Sequence, residues 1–175
     1  MSAGRIWLVA GPVAALLAVA TFIHLGHGWN AFAWALVQVV LVALAAKDVE
    51  ERRLPNVIIL PVAVAAIVLR VGFERSDLRE VIVAGVVTFV AFYVLAVLLR
   101  GGLGMGDVKL AAMLGFLLGS AAFPALVIGI AAGGLWAVGL VVARKATMRS
   151  SIAYGPFLAL GGAIAILYFN PPPLV

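Results

Sequence analysis

The chain has 175 residues, 66% of them apolar and only 11% charged, with a mean hydropathy of +1.24 and a formal charge of +5. Such values lie far outside the range of water-soluble domains and describe an integral membrane protein. The lack of cysteine excludes disulfides, thiolate zinc sites and a cysteine nucleophile; the basic residues stand singly or in pairs beside apolar stretches, which argues against a nucleic-acid partner.

Apolar runs between polar breaks predict helices near 6–25, 30–47, 56–72, 79–99, 108–121, 123–143 and 152–169. The expected fold is an all-α, polytopic transmembrane bundle of six or seven spans, with residues 1–175 forming a single domain because no linker-like stretch divides them. The first run follows a positive start but is as long as a full span, so it is read as a membrane helix and not as a cleaved signal. His24 and His27, near its far end, read as interfacial side chains. The 108–121 piece is short: 14 residues at about 1.5 Å each give about 21 Å, against a hydrocarbon core of about 30 Å. It is expected to tilt, re-enter or lie shielded inside the bundle. Gly115 with Gly119, and Gly129 with Gly133, have the spacing that lets helix backbones approach closely.

Across seven spans, one set of connecting segments carries Arg5, Lys47, Arg52, Arg53, Arg100, Lys109, Arg144, Lys145 and Arg149, and the other carries Arg70, Arg75 and Arg79. This asymmetry predicts a cytoplasmic N-terminus.

Seven acidic residues are present. Glu74, Asp77 and Glu80 alternate with Arg75 and Arg79 and read as a solvated charge run. Asp48 lies where the second span ends, in AAKDVEERRLPN, and by itself is readable as an ordinary juxtamembrane charge. Asp107 closes the glycine run GGLGMGD before the short helix, where an N-cap is the plain alternative. Gly101, Gly102, Gly104 and Gly106 supply more backbone freedom than a cap requires, which suggests that something approaches the carboxylate. On the predicted topology the two aspartates share one membrane face, and two carboxylates sharing a proton suffice to hydrolyse a peptide without a metal. No HExxH or GxSG pattern offers another chemistry.

GLGMGDVKL resembles the GxGD motif of intramembrane aspartyl proteases, and together with DVEERRLPN it is similar to the type IV prepilin peptidases. Asp48 precedes Leu54, Pro55 and Asn56 at that family's spacing, Asp107 is followed by Val108, Lys109 and Leu110, and Ala153-Tyr154-Gly155-Pro156-Phe157-Leu158 corresponds to a third element before the last helix. The resemblance implies an inner-membrane aspartyl endopeptidase with Asp48 and Asp107 catalytic and Gly104, Gly106, Lys109, Pro55, Asn56, Gly155 and Pro156 in support. Its implied substrates are prepilins or pseudopilins, cut between a short basic leader and a hydrophobic helix at the cytoplasmic face. Larger members carry paired CxxC motifs and also methylate the new amino terminus. This chain has no cysteine, so it is closer to the minimal peptidases of tight-adherence pili or archaeal preflagellins, and neither S-adenosylmethionine, another cofactor nor a metal is assigned. Helix-end electrostatics predict Asp107 as the base and Asp48 as the acid, while Glu50 and Glu51 read either as partners of Arg52 and Arg53 or as attractors of a basic leader. Pro55, Asn56, Gly155 and Pro156 are expected to act structurally, by starting helices. The rival readings are a transporter or channel subunit, which would place carboxylates near the bilayer midplane, and a non-catalytic membrane scaffold.

Overall fold

In the computed structural model, which describes residues 3–73, 77–99, 103–144, 153–169 and 171–174, the apolar runs form seven α-helices among the described residues. They are α1 (Ala3–Leu25), α2 (Trp29–Glu51), α3 (Asn56–Phe73), α4 (Leu78–Leu98), α5 (Met105–Leu118), α6 (Ala122–Val142) and α7 (Gly155–Tyr168), with a 3₁₀ turn at Gly119–Ala121 between α5 and α6. Helix is what such runs must form in lipid, where no water is available for an unpaired backbone group. By length and apolarity, α1, α2, α4 and the segment Met105–Val142 can cross a membrane, and α3 and α7 are shorter apolar helices. The chain is a multi-pass membrane protein.

Three boundaries differ from the sequence expectation, and each difference concerns the site. α2 runs on through Asp48 to Glu51 and stops where Arg52 turns left-handed (φ 52°), its N–H bonding the Asp48 carbonyl at 2.9 Å. The expected stop at residue 47 ignored the exposed Lys47–Glu51 pair, which carries the helix one more turn. α5 starts at Met105 with Gly104 as its N-cap, so Asp107 belongs to the first turn instead of preceding the helix. α7 starts at Gly155, with Pro156 in the first turn, where a missing N–H costs nothing. Pro55 and Asn56 open α3 as expected, the Pro55 carbonyl accepting the N–H groups of Ile58 and Ile59.

α5 is the centre of the bundle. Val108, Leu110, Ala111, Met113, Leu114, Leu117 and Leu118 are all buried, with α3, α4 and α7 packed round it, α1 on α2 and α6 on α7. The short helix is therefore shielded, as its length demanded. Large apolar residues such as Leu8, Leu16 and Ile23 of α1 and Leu135 and Val142 of α6 face outwards, as a lipid solvent allows. Glycines set the closest contacts. A Cβ at Gly115 would stand 2.7 Å from the Ala84 carbonyl of α4, one at Gly129 would stand 2.9 Å from the Phe157 carbonyl, and one at Gly161 would stand 2.0 Å from the Ala125 carbonyl.

The helix ends form two groups. Asp48, Asn56, Asp107 and Gly155 gather at one end, and Arg70, Glu80, Ser120 and Pro172 at the other. Arg70 is not the loop cation that the sequence suggested: it is fully buried, and its guanidinium donates to the carbonyls of Phe116 (3.0 Å), Leu117 (2.6 Å) and Pro172 (3.1 Å). Nor is Glu80 simply solvated, since it accepts the Ser120 N–H at 2.6 Å. Glu74, Arg75, Arg100, Gly101, Gly102, Lys145 and Arg149 lie outside the described residues.

Candidate active site

Asp48 is in the last turn of α2 and Asp107 in the first turn of α5. The two helices have little direct backbone contact; α7 packs against both, and α3 packs on α5 while being joined to α2 by the short link Arg52–Pro55. Both aspartates line one cavity of about 340 Å³, together with Arg52, Arg53, Leu54, Asn56, Gly104, Met105, Gly106 and Lys109. That volume accommodates water and a short stretch of peptide. Asp48 is 5% exposed and Asp107 9%, so each carboxylate lines this opening while being largely withdrawn from solvent.

Each carboxylate is held by one backbone donor. The Gly104 N–H donates to Asp107 Oδ2 at 3.1 Å, bridging back over the first turn of α5. The Gly155 N–H donates to Asp48 Oδ2 at 3.0 Å, across 107 residues of sequence. Glycine is needed for closeness at position 155, where a Cβ would lie 2.7 Å from Asp48 Oδ2; at position 104 a Cβ would lie 3.3 Å from Asp107 Oδ2, a tight contact. Gly106 serves similarly against Leu54, whose Cβ would be 3.1 Å from the added carbon. Gly155 therefore touches Asp48 directly and does more than start a helix. Since both carboxylates accept an N–H at a helix N-terminus, helix-end electrostatics do not distinguish base from acid as the sequence suggested.

Lys109 Nζ donates to Asn56 Oδ1 at 3.0 Å, fastening the start of α5 to the start of α3. Pro55 sits in the link between Asp48 and that contact, and Pro156 follows Gly155 in α7. The glutamates are engaged elsewhere than with Arg52 and Arg53: Glu51 pairs with Lys47, and Glu50 accepts the Trp7 indole N–H at 3.2 Å. Tyr154, which caps α7 and hydrogen-bonds the Ile130 carbonyl at 3.0 Å, has its phenol pKa pushed up by burial and by the charge of Asp107. Among the described residues, no three His, Cys, Asp or Glu side chains gather in a way that could hold a metal ion.

Sequence reasoning missed Arg52 and Arg53 as cavity-lining groups, since it counted them for topology and as partners of Glu50 and Glu51. It also missed Tyr154 and Arg70. The signal for Arg70 was an isolated arginine closing an otherwise uncharged apolar run, which in a membrane marks a buried partner. No residue pattern flagged Tyr154 beyond its place in the third element.

A multi-pass helical protein with two buried carboxylates on separate helices, opening into one cavity at the helix ends, defines a membrane protein with a carboxylate-pair site. The type IV leader peptidase family matches residues 35–138, and the chain belongs to that family. It is 34% identical over 160 residues to a prepilin leader peptidase/N-methyltransferase of Aeromonas hydrophila, covering 88% of this chain and 55% of that protein. It is also similar to proteins of the same name from Burkholderia pseudomallei (37% over 139 residues, 75% of this chain and 44% of that one) and Stutzerimonas stutzeri (30% over 151 residues, 83% and 52%). The chain spans about half the length of the curated relatives it matches. No solved structure matches it.

Proposed function

We propose that this protein is an aspartyl endopeptidase of the inner membrane that removes the leader from type IV prepilin-like proteins, with Asp48 and Asp107 as its catalytic pair. The observation that carries this reading is the convergence of the two buried carboxylates on one solvent-connected cavity. In the resting state the pair shares one proton. The ionised aspartate takes a proton from water as the water oxygen attacks the scissile carbonyl, while the protonated aspartate donates to the carbonyl oxygen. The tetrahedral adduct collapses as its C–N bond breaks: the leaving nitrogen takes the proton that came from water off the first aspartate, a hydroxyl of the adduct returns its proton to the second, and the pair again carries one proton in its original place. Gly104 and Gly155 hold the carboxylates through their N–H groups, Gly106 lets α5 approach Leu54, and Lys109, Asn56, Pro55 and Pro156 fix the helix starts.

The cleaved bond lies between a basic leader and a hydrophobic helix, at the cytoplasmic face, with the N-terminus on that side. The cations Arg52, Arg53 and Lys109 lining the cavity support this orientation. The chain acts as a single peptidase domain. No methyl-transfer role is assigned to it.

The test is cleavage of a prepilin-like substrate by the purified full chain in detergent. Asp48→Asn and Asp107→Asn are each expected to lower kcat by about 10²- to 10⁴-fold. Undiminished cleavage in either variant would remove the assignment. A transporter reading gains nothing here, since both carboxylates sit in terminal helical turns at one end of the bundle.

A further inference from the structure

We propose that Arg70 is a positioning residue for the aspartate pair, and that α3 acts as a strut which fixes the axial position of α5, and hence of Asp107, relative to Asp48. The inference rests on the peptidase reading for its kinetic consequence but not for its geometry.

α2 and α5 have little direct backbone contact, so something else must set how far along its axis α5 sits. α3 is joined to the end of α2 by Arg52–Pro55, begins only eight residues after Asp48, and packs along α5. It is fastened to α5 at both ends. At the cavity end, Lys109 Nζ donates to Asn56 Oδ1 at 3.0 Å. At the far end, Arg70 donates to the Phe116 and Leu117 carbonyls at 3.0 and 2.6 Å. Asn56 and Arg70 are 14 residues apart, about 21 Å along the helix, so the two fastenings are separate contacts on one helix, with Pro61 between them.

The chemistry of the far clasp explains why an arginine is used. The last four carbonyls of a helix have no partner within it, and among buried apolar side chains no water supplies one. Gly115 is satisfied by the Gly119 N–H. Phe116 and Leu117 are satisfied by the planar guanidinium, which also reaches the Pro172 carbonyl at 3.1 Å and its own helix at the Ala66 carbonyl. A cation at a helix C-terminus is favoured by the dipole as well. A lysine, with one ammonium centre, cannot bridge these carbonyls in the same fixed geometry. Arg70 is fully buried and far from the cavity lining, so its role at the site is through α5 and not by contact with substrate.

The absence of cysteine allows a direct test. Nitroxide labels at Glu51→Cys and Met105→Cys, two exposed positions flanking Asp48 and Asp107, report the spacing of α2 and α5 by pulsed electron resonance in the folded, detergent-purified full chain. With Arg70→Lys the inter-label distribution is expected to shift or broaden by about 1.5 Å, one residue of helical rise, or more. Asn56→Ala is expected to do the same. In cleavage assays each single variant is expected to lower kcat about tenfold or more with little change in KM. The double variant should fall close to the worse single, because losing either clasp already frees the strut; independent sites would multiply their losses. Arg70→Gln, which keeps two donors, is the second variant should Arg70→Lys not accumulate. An unchanged distance distribution in folded Arg70→Lys or Arg70→Gln would overturn the proposal, as would failure of both to fold, which would leave Arg70 a folding residue only. If wild-type protein cleaves nothing, the peptidase reading fails while the distance measurement still decides the strut.

Discussion

The Gly155 N–H reaches Asp48 Oδ2 at 3.0 Å, and a Cβ on that glycine would stand 2.7 Å from the same oxygen. The seventh helix thus begins against the carboxylate of the second, with no space for even a methyl group. Gly155→Ala is expected to push Asp48 aside and lower kcat by about 100-fold, the cost of a displacement of about 1 Å in a reacting group. Helix content by circular dichroism should be unchanged, since alanine is the better helix former.

Gly106→Ala should be milder. The added Cβ meets the Leu54 side chain at 3.1 to 3.5 Å, and a side chain can yield where a carboxylate fixed by a backbone donor cannot. A loss of about tenfold in kcat with unchanged KM is expected. A loss as large as that of Gly155→Ala would mean that Leu54 is as rigidly placed as Asp48.

Two glycines of α6 and α7 separate packing from chemistry. At Gly161 a Cβ would lie 2.0 Å from the Ala125 carbonyl oxygen, while at Gly134 nothing stands within 4 Å. Gly161→Ala is expected to lower stability by about 1–3 kcal/mol through overpacking, and Gly134→Ala to raise it by about 0.4–1 kcal/mol. Thermal unfolding in detergent compares them directly. Equal effects would contradict the close α6–α7 contact.

Tyr154 gives a pH signature. Burial, helped by the Asp107 charge, raises its pKa above the ordinary value of 10.0, so the folded state holds the phenolic proton more tightly than the unfolded chain. The stability this confers is complete below about pH 10 and is lost as pH rises through the folded value. Tyr154→Phe removes the hydrogen bond to Ile130 and costs about 1 kcal/mol at neutral pH. Its melting temperature should decline less than the wild type's on raising the pH from about 9 to about 11. Parallel declines would show that the phenol ionises equally well in both states.

Much of the bundle was legible because the signal is crude: apolar runs of span length must be helices in lipid, and their order survives errors of a few residues at each end. The boundaries at residues 48 and 107 were misjudged for one reason. A charge was taken to end a membrane helix, whereas here a backbone N–H, from the N-cap of the same helix for Asp107 and from another helix for Asp48, lets the carboxylate stay inside one. For Asp48 that donor is Gly155, whose contact no local pattern announces.

Residue types, their spacing and the lack of a thiol, of HExxH and of GxSG set the chemistry available to this chain: two aspartates and a set of glycines in three short elements. Tertiary structure alone decided that these elements meet, that Glu50 turns to Trp7, and that Arg70 closes the far end of α5 instead of sitting in a loop. The reason is physical. Composition and periodicity fix which faces must leave water, but the partner of a buried polar group lies wherever helix packing brings an unsatisfied donor or carbonyl within 3 Å or so, and that distance is not written in the local sequence.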